Sequence, residues 1–437
     1  MTASFRIDYE WLSREYGDEM EQATLAELAI LFGEARCATR LEDVLAKTVR
    51  SSARLSAIRL AEWFVTNWWR LLWEPQNSTL SWRMSHKVSN VGGGYIWPDL
   101  SFSTDWESIQ VYARPTEGWE GEPIRYLSDF YARISPAEFE NGVDEFVDGI
   151  IARLSSTLKR PTELGDLWEQ VKYERQCPGL SESRKLEACM GFDPDEAPDG
   201  LIDRLQEAKD SYGNNAIQEV AAVSKNQTLT HIETLQESAA NSEGVVLLPE
   251  YDRIRRNILA QTDDFDVPWK RARRAAHIAR ESWGLKSKVD SRILSQIFSI
   301  PIERLLQVDS TVPPPLTVGL RKNDAPEQFG FLSNKRHPSS RRFAFARLLA
   351  DHLTVLDNER LLPATDSKTA RQKFQRAFAQ EFLCPFEDLQ FHFDWDVPTD
   401  DAIDEAAEYF EVSPRLVETA LVNNGVLDRE TLDDRVG

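Results

Sequence analysis

The 437-residue chain predicts an α+β fold, mainly helical and divided into several domains. Three observations carry that expectation. The length accommodates roughly two to four domains at about 150 residues each. Long stretches repeat apolar residues three and four apart, the spacing of one helix face, and shorter apolar runs sit between Gly, Pro and Asn clusters, the mark of strands joined by turns. With 41% apolar, 10% aromatic and 28% charged residues, the chain has enough apolar surface to fold rather than remain disordered.

The first unit expected spans residues 1–160 and is rich in tryptophan: nine of the thirteen lie before Glu120. Residues 18–75 read as long helices, because in Leu55, Ile58, Leu60, Ala61, Trp63, Phe64, Trp68, Trp69 and Leu72 the apolar positions fill more than one helical stripe. After Trp73-Glu74-Pro75-Gln76-Asn77 the pattern changes. Gly92-Gly93-Gly94 marks a turn, Tyr95–Trp97 and Ser108–Pro115 read as strands, and residues 124–157 return to helix. The unit is thus expected to set one small antiparallel sheet on a helical core.

Residues 161–244 read as short helices separated by polar loops, with the sharpest break at Gly191–Gly200, where two prolines lie among acidic residues. That segment lacks the alternating ligands, central Gly and final Glu of a calcium loop, so its carboxylates are expected to cap helices. A third unit, residues 245–437, contains a helix over Trp269–Trp283 with Gly284 as its stop, an extended connector at Thr311–Pro315, and a strand at Leu316–Arg321.

The formal charge, 51 − 72 = −21, opposes general attraction to nucleic acid or to an anionic membrane surface. A local basic segment is the exception. Arg253, Arg255 and Arg256 are followed by Lys270, Arg271, Arg273 and Arg274, across the acidic stretch Asp263–Asp266, and Arg271, Arg273 and Arg274 are the candidate nucleic-acid contacts. Cys37, Cys177, Cys189 and Cys384 show no metal or disulfide spacing and are expected to be free thiols. No apolar run has the length of a membrane span, and Met1–Arg6 lacks a leader pattern, so the expected address is the cytoplasm.

The C-terminal third holds the most informative stretch. Arg341–Leu353 reads as one helix. A zinc peptidase places two His four apart on a helix so that both reach one ion, with a Glu beside the first to take a proton from bound water, and a third ligand from a later helix. Arg342–Ala346 resembles the lead-in to such a helix in the ImmA/IrrE-type metallopeptidase family. Phe374–Pro385 resembles that family's second helix, and Glu408–Val417 with Asn424–Leu427 its closing pair of short helices. The resemblance covers residues 245–427 and implies a zincin-like domain.

Carried over residue by residue, the first His falls on Arg347, the general base on Leu348, the second His on Asp351 and the third ligand on Gln372. None matches. Arg347 is a permanent cation and Leu348 has no lone pair, and among the four only Asp351 is a good ligand. His352 is one place out of register, about 100° round the helix, and cannot replace the missing His. The resemblance therefore implies a degenerate site with no catalytic residue, metal or cofactor, closed by an Arg347–Asp351 ion pair one turn apart. It further implies a regulatory or scaffold protein with a protein partner, in a stress, mobile-element or phage-defence setting.

Two other readings stay open. One is an enzyme, either a peptidase with an atypical site or a metal-dependent nuclease using Asp99, Asp105 and Glu107 beside Arg114. The other is a DNA-binding regulator acting through the basic helices. The tryptophans themselves can form a core or a recognition surface.

Overall fold

The computed structural model describes residues 3–13, 18–117, 122–228, 230–234, 245–247, 250–262, 267–286, 288–307, 314–322, 325–393 and 398–428. The chain separates into two compact units, Met1–Ile202 with Ser367–Thr369, and Asp203–Asp366 with Ala370–Gly437. Helices of the expected 161–244 segment contribute to both. The fold is mixed, with helix predominating over strand.

The first unit opens with β1 (Phe5–Trp11), α1 (Glu19–Thr24), β2 (Leu25–Phe32), β3 (Arg36–Cys37), β4 (Leu41–Asp43), β5 (Thr48–Arg50) and β6 (Ala53–Ser56). These overturn the expectation of helix from residue 18 onward. Leu25-Ala-Glu-Leu-Ala-Ile-Leu-Phe is built largely of helix formers, yet it alternates between buried and half-buried positions and pairs with β1, β3 and β6. Partners on both sides outweigh a local preference worth only tenths of a kcal/mol per residue. Helix begins at α2 (Ala57–Thr66), followed by α3 (Trp68–Trp73) and α4 (Leu80–His86).

A second antiparallel sheet has the order β10–β8–β7, from β7 (Asp99–Thr104), β8 (Ile109–Arg114) and β10 (Phe130–Ile134). A third joins β5, β4 and β9 (Ile124–Tyr126). Among the described residues of this unit there are thus three sheets where one was expected. The strand expected at Tyr95–Trp97 instead starts at Asp99, and the helix expected from residue 124 is preceded by β9 and β10 and runs as α5 (Pro136–Leu158). Its start is dictated locally: Pro136 opens the first turn and Ser135 accepts a hydrogen bond from Glu138 N–H at 3.1 Å.

The helix α5 lies unusually close to β1. A Cβ on Gly142 would fall 2.7 Å from the carbonyl oxygen of Phe5, and one on Gly149 would collide with the Tyr9 hydroxyl, so this contact requires glycine at both places. Around it the rings of Phe5, Phe32, Phe64, Phe102 and Phe139 pack with centroids 5.1–6.4 Å apart. Trp63, Trp68, Trp69, Trp97 and Trp168 are buried in the same core. Two further helices, α6 (Glu163–Gln176) and α7 (Pro178–Met190), complete the unit, and α7 ends at Gly191 with φ of 81°.

The helix α8 (Leu201–Tyr212) begins at the division between the units. The second unit continues with α9 (Asn214–Ser224), β11 (Val245–Leu247), α10 (Tyr251–Gln261), α11 (Pro268–Ser282), α12 (Ser291–Phe298) and α13 (Ile302–Leu306). Next come β12 (Thr317–Lys322), β13 (Ala325–Leu332), α14 (Pro338–Thr354), β14 (Leu361–Ala364), α15 (Ala370–Leu383) and α16 (Phe386–Gln390). The short helices α17 (Asp400–Phe410) and α18 (Pro414–Asn423) close the unit. Its sheet is antiparallel with the order β11–β13–β12–β14. The expected helices at 269–283, 341–353 and 374–385 and the strand at 316–321 are present, each within a few residues of its expected bounds. Residues 311–313 of the connector and the acidic stretch at 263–266 lie outside the described residues.

No helix is long and apolar enough to cross a membrane among the described residues. The four cysteines are free, with Cys189 and Cys384 buried and Cys37 and Cys177 half-buried.

Candidate functional site

The helix α14 is buried on nearly every side from Arg341 to Leu353, which requires each of its charged side chains to find a partner inside the unit. Arg341 Nε donates to the carbonyl oxygen of Leu305 and its Nη2 to that of Arg304, both at 3.0 Å, closing the end of α13. Arg342 donates to Val289 O at 2.6 Å, to Ser291 Oγ at 2.8 Å and to the Glu411 carboxylate at 2.6 Å. Cationic side chains thus saturate carbonyls of a helix end and of a loop that no backbone N–H among the described residues satisfies.

The helix α15 packs along α14 and brings the four carried-over positions together with new partners. Arg347 Nη2 donates to Gln372 Oε1 and to Thr365 O, each at 2.5 Å. Gln372 is itself fixed, accepting from Thr365 N–H at 2.9 Å and donating to Pro363 O at 2.9 Å. Leu348 is fully buried in the apolar core.

Asp351 does not pair with Arg347, and the expected i,i+4 ion pair is corrected. Its two oxygens accept from Arg371 Nε at 2.8 Å and Nη2 at 2.6 Å, a fork-to-fork geometry that Arg347 does not adopt from its own helix. Arg371 also reaches Glu359 Oε2 at 3.3 Å. The Glu359 carboxylate in turn accepts the N–H groups of Asn215 at 3.0 Å and Ala216 at 2.8 Å, at the positive end of α9. A buried chain therefore runs from Asp351 through Arg371 and Glu359 to a helix N-terminus.

Electrostatics follow from this arrangement. Burial lowers the Arg347 pKa to about 9, with neighbouring Arg376 pushing the same way and Asp366, Asp351 and Glu219 opposing it. Arg347 still carries its charge at neutral pH. For Arg371 burial also works against the cation, but Asp351, Glu219 and Glu359 outweigh it and hold its pKa above the ordinary value. Two cations occupying this space repel a dication, and each holds a neighbouring side-chain oxygen, Gln372 Oε1 or the Asp351 carboxylate, that a metal would need.

His352 faces elsewhere. Its ring stacks on Tyr251 with centroids 4.5 Å apart, and its Nδ1 accepts from Arg321 Nε at 3.2 Å. Among the described residues no three His, Cys, Asp or Glu side chains converge as a metal site.

The other sequence-derived candidates lie apart from this cluster. Arg271 and Arg273 are half-buried and Arg274 is exposed on α11, whose opposite face, Ala272, Ala275, Ala276 and Ala279, is buried. Arg255 is held by Leu353 O at 3.2 Å and Asp357 at 3.2 Å, so the basic segment is not one continuous surface. In the first unit Asp99 lies beside Lys87 at 3.4 Å, while Asp105 is buried and accepts from Ser108 N–H at 2.8 Å and Gln110 Nε2 at 2.7 Å. Six strand-like steps separate the two carboxylates, on the order of 20 Å, too far to share an ion. Asp105 forms a turn, and Asp195 likewise accepts a two-pronged bond from Arg184 at 2.8 and 2.9 Å.

Sequence reasoning missed Arg371, Glu359, Glu219 and Arg376. Arg371 lies before the expected start of its helix, and Glu359 sits in a loop. No periodicity marks a buried carboxylate before the chain is folded. Compared with known proteins, the chain matches no family model, no curated protein and no solved structure.

Proposed function

We propose that residues 245–427 form a peptidase-like domain of the ImmA/IrrE type whose metal site has been replaced by buried hydrogen-bonded cations, and that the protein acts without catalysis as a regulator or scaffold. One observation carries this reading. The side chain standing for the first zinc ligand, Arg347, is hydrogen bonded at 2.5 Å to the one standing for the third, Gln372. Loss of a site by random substitution gives no reason for the altered residues to complement one another, whereas conversion to a structural cluster does. The order of elements after α14 supports the reading too, with a second packed helix and two short closing helices.

A rigid domain without a reactive group has binding as its remaining use, so the occupant expected is another protein, and the cell compartment expected is the cytoplasm. The stress, mobile-element or phage-defence setting belongs to the same proposal and rests on the family resemblance alone.

The test is metal analysis of the purified full chain, together with incubation with casein and with nucleic acid in the presence of zinc or magnesium. Substoichiometric zinc and no turnover are expected. One tightly bound equivalent of zinc, with casein cleavage abolished by Asp351→Ala, would overturn the proposal. Co-purification from the native host with mass spectrometry then identifies the partner.

A further inference from the structure

The second sheet of the first unit, β10–β8–β7, turns one face to the core through Leu100, Phe102, Ile109, Val111, Ala113, Ala132 and Ile134. Alternation places Asp99, Ser101, Ser103, Gln110, Tyr112, Arg114, Tyr131 and Arg133 on the other face, of which Ser103 and Gln110 are buried. Tyr112 and Tyr131 are direct cross-strand partners, 36% and 44% exposed, with ring centroids 5.1 Å apart. Two rings standing side by side, tilted 46° to one another, at the exposed end of this face, with a packed core beneath them, form a rigid platform.

Charge distinguishes the occupant. Arg114 is exposed on this face, and no ion pair or hydrogen bond engages it among the described residues. Arg133 is half-buried, its Nε donating to Ser108 Oγ at 2.6 Å. The carboxylate at Asp99 is offset by Lys87 at 3.4 Å. In a chain of net charge −21, this face gathers Arg114, Arg133 and Lys87 around two aromatic rings against the carboxylates of Asp99 and Asp105, the latter held by Ser108 and Gln110. Planar rings accept bases by stacking and guanidinium groups accept phosphates, without a demand for sequence. A duplex offers no unstacked base to such a platform, so it is the weaker ligand.

The geometry points to single-stranded nucleic acid as the ligand of this face, with bases stacked on Tyr112 and Tyr131 and the phosphate backbone held by Arg114 and Arg133. This goes beyond the peptidase-like reading and does not depend on it.

The experiment is fluorescence anisotropy of the full chain with labelled oligothymidylate, oligouridylate and a matched DNA duplex across a salt series, with poly-glutamate as competitor. Binding to one or both single strands, and weaker binding to duplex, is expected; the two single-strand arms separate DNA from RNA. The Tyr112→Ala/Tyr131→Ala pair should weaken it at least roughly thirtyfold, whereas Tyr112→Phe/Tyr131→Phe, which keeps both rings, should bind as the parent does. Arg114→Ala, at an exposed position where refolding is not at issue, should lower the slope of log affinity against log salt by roughly 0.7. Absence of binding to either strand, an unchanged affinity in the Ala pair, equal competition by poly-glutamate, or loss on Arg271→Ala/Arg273→Ala/Arg274→Ala instead would each overturn the assignment.

Discussion

Closely packed rings fill the core of the first unit, Phe5, Phe32, Phe64, Phe102 and Phe139 among them, whereas the central helix of the second carries Arg341, Arg342, Arg347, Asp351 and His352 through its interior. The first unit also buries charge, but differently. Arg184 binds Glu174 at 2.9 Å and Glu187 at 2.8 Å, and its third partner, Asp195, is exposed, so water reaches one end of the group. The Asp351–Arg371 pair has side chains only 2% and 13% exposed. Ring packing tolerates substitution that conserves volume, whereas a buried pair does not tolerate loss of one member, because the charge left behind is neither hydrated nor neutralised. The second unit should therefore be the more specific in its residue demands and the less forgiving.

The largest expected effect tests that contrast directly. Asp351→Ala should destabilise the second unit by about 3–5 kcal/mol, while the double replacement Asp351→Leu/Arg371→Met should recover part of the loss, the remainder being the buried Glu359 carboxylate left with its backbone N–H donors alone. Urea unfolding followed by hydrogen exchange on α14 and α15 measures both. Recovery by less than half would mean that Arg371 is held chiefly by Glu359 and that the Asp351 link is the weaker of the two.

Acid should act more on the first unit. His86 is fully buried, and desolvation, reinforced by Arg70, lowers its pKa to about 3 against 6.5 for the free side chain, despite hydrogen bonds to Trp82 O and Arg70 O that favour the cation. The unfolded chain takes up this proton first, so the contribution is complete above pH 6.5 and is lost as pH falls towards 3. A tenfold change in proton affinity corresponds to about 1.4 kcal/mol, so an effect of a few kcal/mol is expected. His86→Asn should flatten the stability profile of the first unit between those limits, read by tryptophan fluorescence. That signal reports mainly this unit, because ten of the thirteen tryptophans precede Ile202. An unchanged profile would show that His86 is protonated in the folded state.

The smallest effect concerns a single indole. Among the described residues the Trp68 N–H has no acceptor, while the Arg175 guanidinium lies 4.4 Å above its ring. Trp68→Phe removes the unsatisfied donor and part of the stacking area, and the two effects should nearly cancel, leaving a change within about 1 kcal/mol. A loss several times larger would show that ring volume, not polarity, governs this site and would widen the contrast between the units.

Much of the helical half of the molecule was legible from residue spacing, since the expected helices at 269–283 and 341–353 are long and their apolar residues recur at helical intervals. The strands of residues 25–56 were not. Ala, Leu and Glu dominate β2, and only its neighbours on both edges make it extended. At the candidate site the one-turn spacing suggested Arg347 as the partner of Asp351, whereas in the fold Arg371 holds Asp351 and Glu359 arrives from a loop.

By itself, then, the sequence determined which side chains exist to be buried and where helical periodicity is strong. Tertiary structure decided which strand a helix-forming segment joins and which cation each buried carboxylate receives. The physical reason is range. Periodicity and side-chain chemistry act between residues a turn apart, while strand pairing and the satisfaction of buried charge are settled among groups distant in the chain and meet only when water is excluded.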